Sequence, residues 1–223
     1  MEEILRSLGA GSVPVLDPDI PLWEYLPIDL STDNPELIGV PIERPDICQE
    51  YVRRVLEKSG GRVAYGGYLE KRNLYNTHSK FALAGSPDRN IHLGLDLWVA
   101  AGTPVIAPVD GRVHSFRNNE GMGDYGPTLI LLHDLPGLRF HTLYGHLSME
   151  SLLLYEPGRY FKAGDRLGYL GDVEVNGGYA PHLHFQLICD MKGFTGDYPG
   201  VCNADDLDYF RGNCPDPRLL LKF

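Results

Sequence analysis

From residue 90 onward the chain is divided into short apolar runs separated by glycine, proline and aspartate. The runs are "TPVIAPVDGRVHSFR" (103–117), "TLILLHD" (128–134), "LRFHTLYGHL" (138–147), "RLGYLG" (166–171) and "HLHFQLICD" (182–190). Their length and their β-branched and aromatic content read as strands rather than helices. Between them "GMGDYGP" (121–127) and "VNGGYAP" (175–181) read as loops. The chain holds 26 glycines and 17 prolines and has no low-complexity tract to absorb them. Tight turns between short strands account for both. The expected fold is therefore mainly β, a compact antiparallel sheet core, with Asp110-Gly111 turning a hairpin inside the first run.

The N-terminal side differs. Residues 1–45 are rich in proline and aspartate and read as an irregular arm with one short helix at 2–8. "RPDICQEYVRRVLEKSGG" (44–61) is the clearest helix: Asp46 is placed to cap it, Ile47, Tyr51, Val55 and Leu56 form an apolar stripe, and Gly60-Gly61 ends it. Residues 61–75 look like a strand or hairpin leading into a loop, "NADDLDYFRG" (203–212) like a short helix, and "CPDPRLLLKF" (214–223) like a tail that packs back. The expected organisation is an arm and helix over 1–60, a principal domain over 61–200 and a C-terminal extension over 201–223.

Composition narrows the function classes. A formal net charge of −10 argues against nucleic acid or an anionic membrane surface as the main partner, because both require a basic footprint. No run approaches the ~20 apolar residues of a membrane span, and the acidic N-terminus has no secretory h-region. The expected location is the cytoplasm. Cys48, Cys189, Cys202 and Cys214 lack CxxC spacing, which disfavours a thiolate zinc site. Free thiols are expected, with a Cys202–Cys214 pair reserved for an oxidising compartment.

Histidine spacing carries the chemical signal. Four of the eight histidines invite structural roles: His78 in a polar loop, His114 and His141 in strand alternations, and His133 beside Asp134 at a strand end. His182 and His184 are two apart in a strand, so they share one face, with Cα atoms ~6.6 Å apart. One can hold a metal while the other reaches the space beside it, or both can ligate. Leu183, Phe185 and Leu187 then face the core. His92 and Asp96 are four apart, which a straight strand would stretch to ~13 Å. The chain must bend between them to share an ion, and Gly94 stands midway, where it tolerates unusual backbone angles. His146 follows Gly145 in "TLYGHL", and its odd separation from His141 puts the two on opposite faces of a regular strand. Together these clusters offer two histidines and one aspartate for a metal with further histidines nearby. Three protein ligands plus a water is the layout of a catalytic zinc site. Sulfur-free ligands fit zinc, and manganese, iron and cobalt also accept such a set.

"HLGLD", "YGHL" and "HLHFQ", in that order, resemble the lysostaphin-type (LytM, M23) zinc metallopeptidases over roughly residues 90–190. "AGTPVIAPVDGRV" and "KAGDRLGYLGD" extend the likeness between the motifs. The resemblance implies an antiparallel β-fold with the site in a groove, and Zn2+ held by His92, Asp96 and His184. It also implies catalytic roles for His146 and His182, on the attacking water and the transition state. The implied activity is metal-assisted hydrolysis of peptide bonds, in peptidoglycan cross-links or a related peptide. The transition-state tyrosine found just before the first histidine in some relatives has no counterpart in "SPDRNI" (86–91). An upstream asparagine masks the metal in others, and Asn73, Asn76 and Asn90 are the candidates here. Two alternatives stand beside this reading: a non-catalytic binding or regulatory module on the same fold, and a cytoplasmic zinc hydrolase acting on a non-wall amide.

Overall fold

The strand His182–Ile188 runs through the middle of an eight-stranded sheet, and everything that positions the site is built around it. The computed structural model describes residues 2–74 and 89–222, so Asn76 and His78 lie outside the described residues. In chain order the elements are α1 (Glu2–Gly11), β1 (Tyr25–Pro27), α2 (Pro45–Ser59), β2 (Val63–Gly66), β3 (Ile91–His92), β4 (Leu95–Trp98), β5 (Pro104–Ile106) and β6 (Gly111–Asn119). There follow β7 (Gly126–Leu135), β8 (Leu138–Gly145), β9 (Tyr160–Phe161), β10 (Arg166–Tyr169), β11 (His182–Ile188), β12 (Val201–Cys202) and α3 (Leu207–Asn213). The main sheet has the order β1-β2-β4-β11-β8-β7-β6-β9, and two small ribbons pair β10 with β5 and β12 with β3. The fold is mainly β, as the punctuation of the sequence requires.

The arm is less irregular than its composition suggests. β1 joins the sheet edge parallel to β2, with Tyr25 opposite Val63. Residues 2–11 form α1, which sits on the C-terminal tail through Gly9. A Cβ there would lie 2.6 Å from Leu219 O. Leu219, Leu220 and Leu221 enter the principal core beside Leu5 and Leu16. In α2 the cap differs from expectation: Arg44 holds the N-cap position without a side-chain capping bond, and Pro45 opens the first turn, where its missing N–H costs nothing. The buried stripe is Cys48, Tyr51 and Val52. Gly60, at φ +71, ends the helix as expected, its N–H reaching Leu56 O.

The Asp110-Gly111 hairpin does not form. β5 pairs with β10 and β6 pairs with β7 and β9, so the two runs belong to different ladders. Pro108, which has no N–H for a ladder, turns the chain between them. Asp110 instead ties down the approach to β10. Its Oδ1 accepts from Ala163 N at 2.8 Å, and its Oδ2 accepts from Tyr160 Oη at 2.7 Å. The tight hairpin lies further on, where Pro136 and Gly137 (φ +80) join β7 to β8 with Leu135 opposite Leu138.

One face of the main sheet supplies the core. Leu95 and Leu97 of β4, Leu183, Phe185 and Leu187 of β11, and Leu129 and Leu131 of β7 are all essentially inaccessible there. Period-two alternation sends Asp96, Trp98, His182, His184 and Gln186 to the opposite face. These polar groups are buried too, because α2, β3 and the loop before β12 cover that side. Among the described residues, the three other histidines expected to be structural behave as packing. His133 Nδ1 bonds Asp110 O at 2.7 Å and Nε2 bonds Thr142 Oγ1 at 2.8 Å, while His114 and His141 meet edge to face at 4.9 Å. None of the four cysteines is in a disulfide, and Cys202 and Cys214 are both buried thiols. Among the described residues no helix is long and apolar enough to cross a membrane.

Candidate metal centre

Antiparallel register brings the three motifs to one place. In β4 and β11, Asp96 stands directly opposite His184 and Trp98 opposite His182. On the other side of β11, His184 stands opposite Gly145, the last residue of β8. His92 arrives from β3, which leaves the sheet to pair with β12. The break at Leu93-Gly94 supplies the bend that His92 and Asp96 require. Gly94 is needed for a different reason from the one expected: its φ is outside the left-handed region, but a Cβ there would lie 2.6 Å from the His184 ring.

His92, Asp96 and His184 each turn one ligand atom to a common point, all within 4.8 Å of one another. Hydrogen bonds on the far side of each ring fix which nitrogen carries the hydrogen. His92 Nδ1 donates to Gly67 O at 3.0 Å, which leaves Nε2 as a lone pair. Gln186 Nε2 donates to Pro199 O at 3.1 Å, so its Oε1 accepts from His184 Nε2 at 2.8 Å and leaves His184 Nδ1 as a lone pair. His92 Nε2 and His184 Nδ1 face each other at 2.9 Å, and each lies 3.2 Å from Asp96 Oδ1. Burial pushes His92 down to about 4, so the ring is neutral at physiological pH. Burial alone would raise the Asp96 carboxyl, but His92 and the Arg72 guanidinium hold it well below the usual carboxylate range. Three electron pairs therefore converge in a dry place with no hydrogen between them. A bound cation would satisfy that geometry, and two nitrogens with one carboxylate oxygen suit zinc.

Two more imidazoles look into the same space. His182 Nδ1 donates to Ala180 O at 2.7 Å and His146 Nδ1 to Asn176 O at 2.7 Å. Both rings keep Nε2 as an acceptor, and the ring centroids are 4.2 Å apart. His182 Nε2 lies 3.8 Å from Asp96 Oδ1, and the ring stacks on Trp98 with centroids 5.6 Å apart. Burial lowers both proton affinities. His146 is held well below its ordinary value, with His182 and His184 adding to the effect of burial. His146 has φ +64, a left-handed backbone rare outside glycine. Its N–H bonds Tyr125 O and its carbonyl accepts from Gly171 N, both at 2.9 Å, so the strained conformer is held from both sides.

The centre opens on a cleft of about 510 Å³. Ile42, Pro45 and Cys48 from the arm and α2 form part of its wall, and Tyr125, Tyr179 and Tyr198 line it as well. Asn73 and Asn90 are not among the residues that line it, and the Asn90 carbonyl accepts from Arg72 N. Sequence reasoning missed Gly67, Arg72 and the orienting role of Gln186. Gly67 at φ +103 has no room for a Cβ between Arg72 and His92.

Residues 90–194 match the family model described as Peptidase family M23. An uncharacterized metalloprotease of Haemophilus influenzae is 37% identical over 116 residues, covering 51% of this chain and 22% of that protein. The peptidoglycan DD-endopeptidase ShyA of Vibrio cholerae is 36% identical over 98 residues, covering 44% of this chain and 20% of that protein. A solved zinc containing peptidase from Vibrio cholerae superposes with a TM-score of 0.36 at 28% identity, covering 44% of this chain and 27% of that chain. The chain thus spans about a fifth of the length of these curated relatives. The matched segment contains all five residues of the histidine and aspartate constellation, and over that segment the chain is similar to peptidase family M23.

Proposed function

We propose that this protein is a zinc-dependent endopeptidase that cleaves amide bonds in peptidoglycan cross-links or a related peptide. The observation that carries the reading is the convergence of three lone pairs, on His92 Nε2, Asp96 Oδ1 and His184 Nδ1, beside two further imidazoles with acceptor Nε2 atoms. Zinc bound there supplies a Lewis acid for the scissile carbonyl and lowers the pKa of a water toward ~7.

The chain's own residues do the rest. His182 Nε2 accepts the proton of the attacking water as general base, because Ala180 O fixes its tautomer. His146 Nε2 is also an acceptor. It accepts a hydrogen bond from the water's other hydrogen, which stays on the oxygen, and so aims the oxygen lone pair at the carbonyl carbon. With centroids 4.2 Å apart the two rings do not both carry charge readily, so the pair holds one proton and delivers it to the leaving amine. The ShyA relative is by name a peptidoglycan DD-endopeptidase, which favours wall peptides as the substrate class.

The test is turnover by the purified, zinc-loaded protein on peptidoglycan fragments, with non-wall peptide amides as the second arm. Chelation should abolish cleavage and zinc should restore it. His182→Ala should keep the metal and lose turnover. Zinc binding without cleavage in either arm would sink the proposal.

A further inference from the structure

We infer that Arg72 is a positioning residue for the metal centre, one that restricts Asp96 to a single ligating oxygen. This rests on the metal-site reading above. Arg72 is 1% exposed, although it carries a full charge. Its Nη1 bonds Asp96 Oδ2, and its Nε bonds Glu70 Oε2. The guanidinium carbon lies 5.2 Å over the Trp98 ring, the same ring that stacks on His182. A buried cation is tolerated only when paired and bonded in this way. A planar fork serves both carboxylates with donors in fixed directions, whereas a lysine offers three rotatable donors on a single nitrogen.

The consequence is geometric. Asp96 Oδ1 lies 3.2 Å from both His92 Nε2 and His184 Nδ1, whereas Oδ2 is committed to Arg72. A carboxylate free to rotate could offer both oxygens to an ion and fill a position that water and substrate need. Capped by Arg72, Asp96 offers one, and the guanidinium also draws charge from that oxygen. The arrangement is anchored from outside the centre. Glu70 Oε1 accepts from Leu30 N at 3.1 Å, so a chain of contacts runs from the N-terminal arm through Glu70 and Arg72 to Asp96. Residue 67 makes room for it, since a Cβ there would lie 1.9 Å from Arg72 Nη2. Residues 30, 67, 70 and 72 all lie outside the segment matched to the family.

The test loads the full chain with Co2+ and reads its visible spectrum, whose ligand-field bands weaken as coordination number rises. Chelator competition then gives the metal affinity. The variants are Arg72→Met combined with Glu70→Gln, which removes the Glu70 charge together with its partner, and Arg72→Lys, which keeps the charge without the fork. The double variant should show the weaker bands of a higher-coordinate site and bind metal about 10–100-fold less tightly, the usual range for a partner that orients a ligand. Arg72→Lys should shift the spectrum in the same direction by less, and it provides the readout if the double variant does not fold. If peptide cleavage is measurable, kcat should fall with KM little changed. A wild-type spectrum and wild-type affinity in a folded variant would overturn the assignment and leave the peptidase reading intact. A chain that binds Co2+ and cleaves nothing would sink the peptidase reading, while the spectra would still decide the role of Arg72.

Discussion

His92 Nε2 and His184 Nδ1 face each other at 2.9 Å, each with the hydrogen of its other nitrogen already donated elsewhere. Without a cation these lone pairs repel one another and the Asp96 carboxylate. Metal removal is therefore expected to destabilise the fold around β3, β4 and β11. Zinc at 100 times its Kd should raise unfolding stability by about 2.7 kcal/mol. His184→Ala should abolish that gain. Thermal unfolding with zinc and with chelator gives the comparison, and a His184→Ala chain that keeps the full zinc response would contradict the ligand assignment.

Gln186 tests the orienting shell separately. Its Oε1 holds the His184 tautomer, and its own orientation is set by Pro199 O. Gln186→Leu leaves His184 Nε2–H without that acceptor. Metal affinity should fall about 10–100-fold. Competition against a coloured chelator measures it, and unchanged affinity would show that the tautomer is set by some other contact.

Gly94→Ala should act at the centre through volume alone. The added carbon would lie 2.6 Å from the His184 ring and 2.9 Å from Phe185 O, so the strand or the ring must shift. We expect weaker metal binding and a loss of stability of about 1–3 kcal/mol, as for other overpacked sites. Urea titration of the metal-free protein separates the two effects.

Acid sensitivity should come partly from His133, which is not a member of the candidate metal centre. Burial pushes this ring from 6.5 down to about 4. Between those values the unfolded chain binds a proton at residue 133 that the folded chain refuses, so stability falls as pH falls through that window. Each unit within it contributes up to about 1.4 kcal/mol. His133→Gln should flatten the dependence of metal-free stability on pH between about 6.5 and about 4. Urea midpoints at several pH values would show it, and parallel curves for the two proteins would refute it.

Local chemistry made much of this legible in the sequence. Turn residues and short β-rich runs required a mainly β fold. Period-two geometry put His182 and His184 on one face and Leu183, Phe185 and Leu187 on the other. The motif order picked out His92, Asp96 and His146 as their companions. The face assignments follow from spacing along one chain, because strand geometry turns spacing into direction, whereas the companions were implied by the resemblance of the motifs to a known family.

What only the tertiary structure decided depends on which strands meet. The Asp110-Gly111 pair looks like a hairpin turn, yet Pro108 breaks the ladder and Asp110 binds the loop at Tyr160 and Ala163 instead. Gly94 was expected to matter for its backbone freedom, but the neighbouring His184 ring is the reason it must be small. Gln186, Gly67 and Arg72 act on histidines and a carboxylate 2 to 25 positions away, through hydrogen bonds that no periodicity encodes. Ligand types and strand faces are properties of the local chain. Tautomers, the capped oxygen of Asp96 and the dryness of the site are set by neighbours that only the folded sheet brings together.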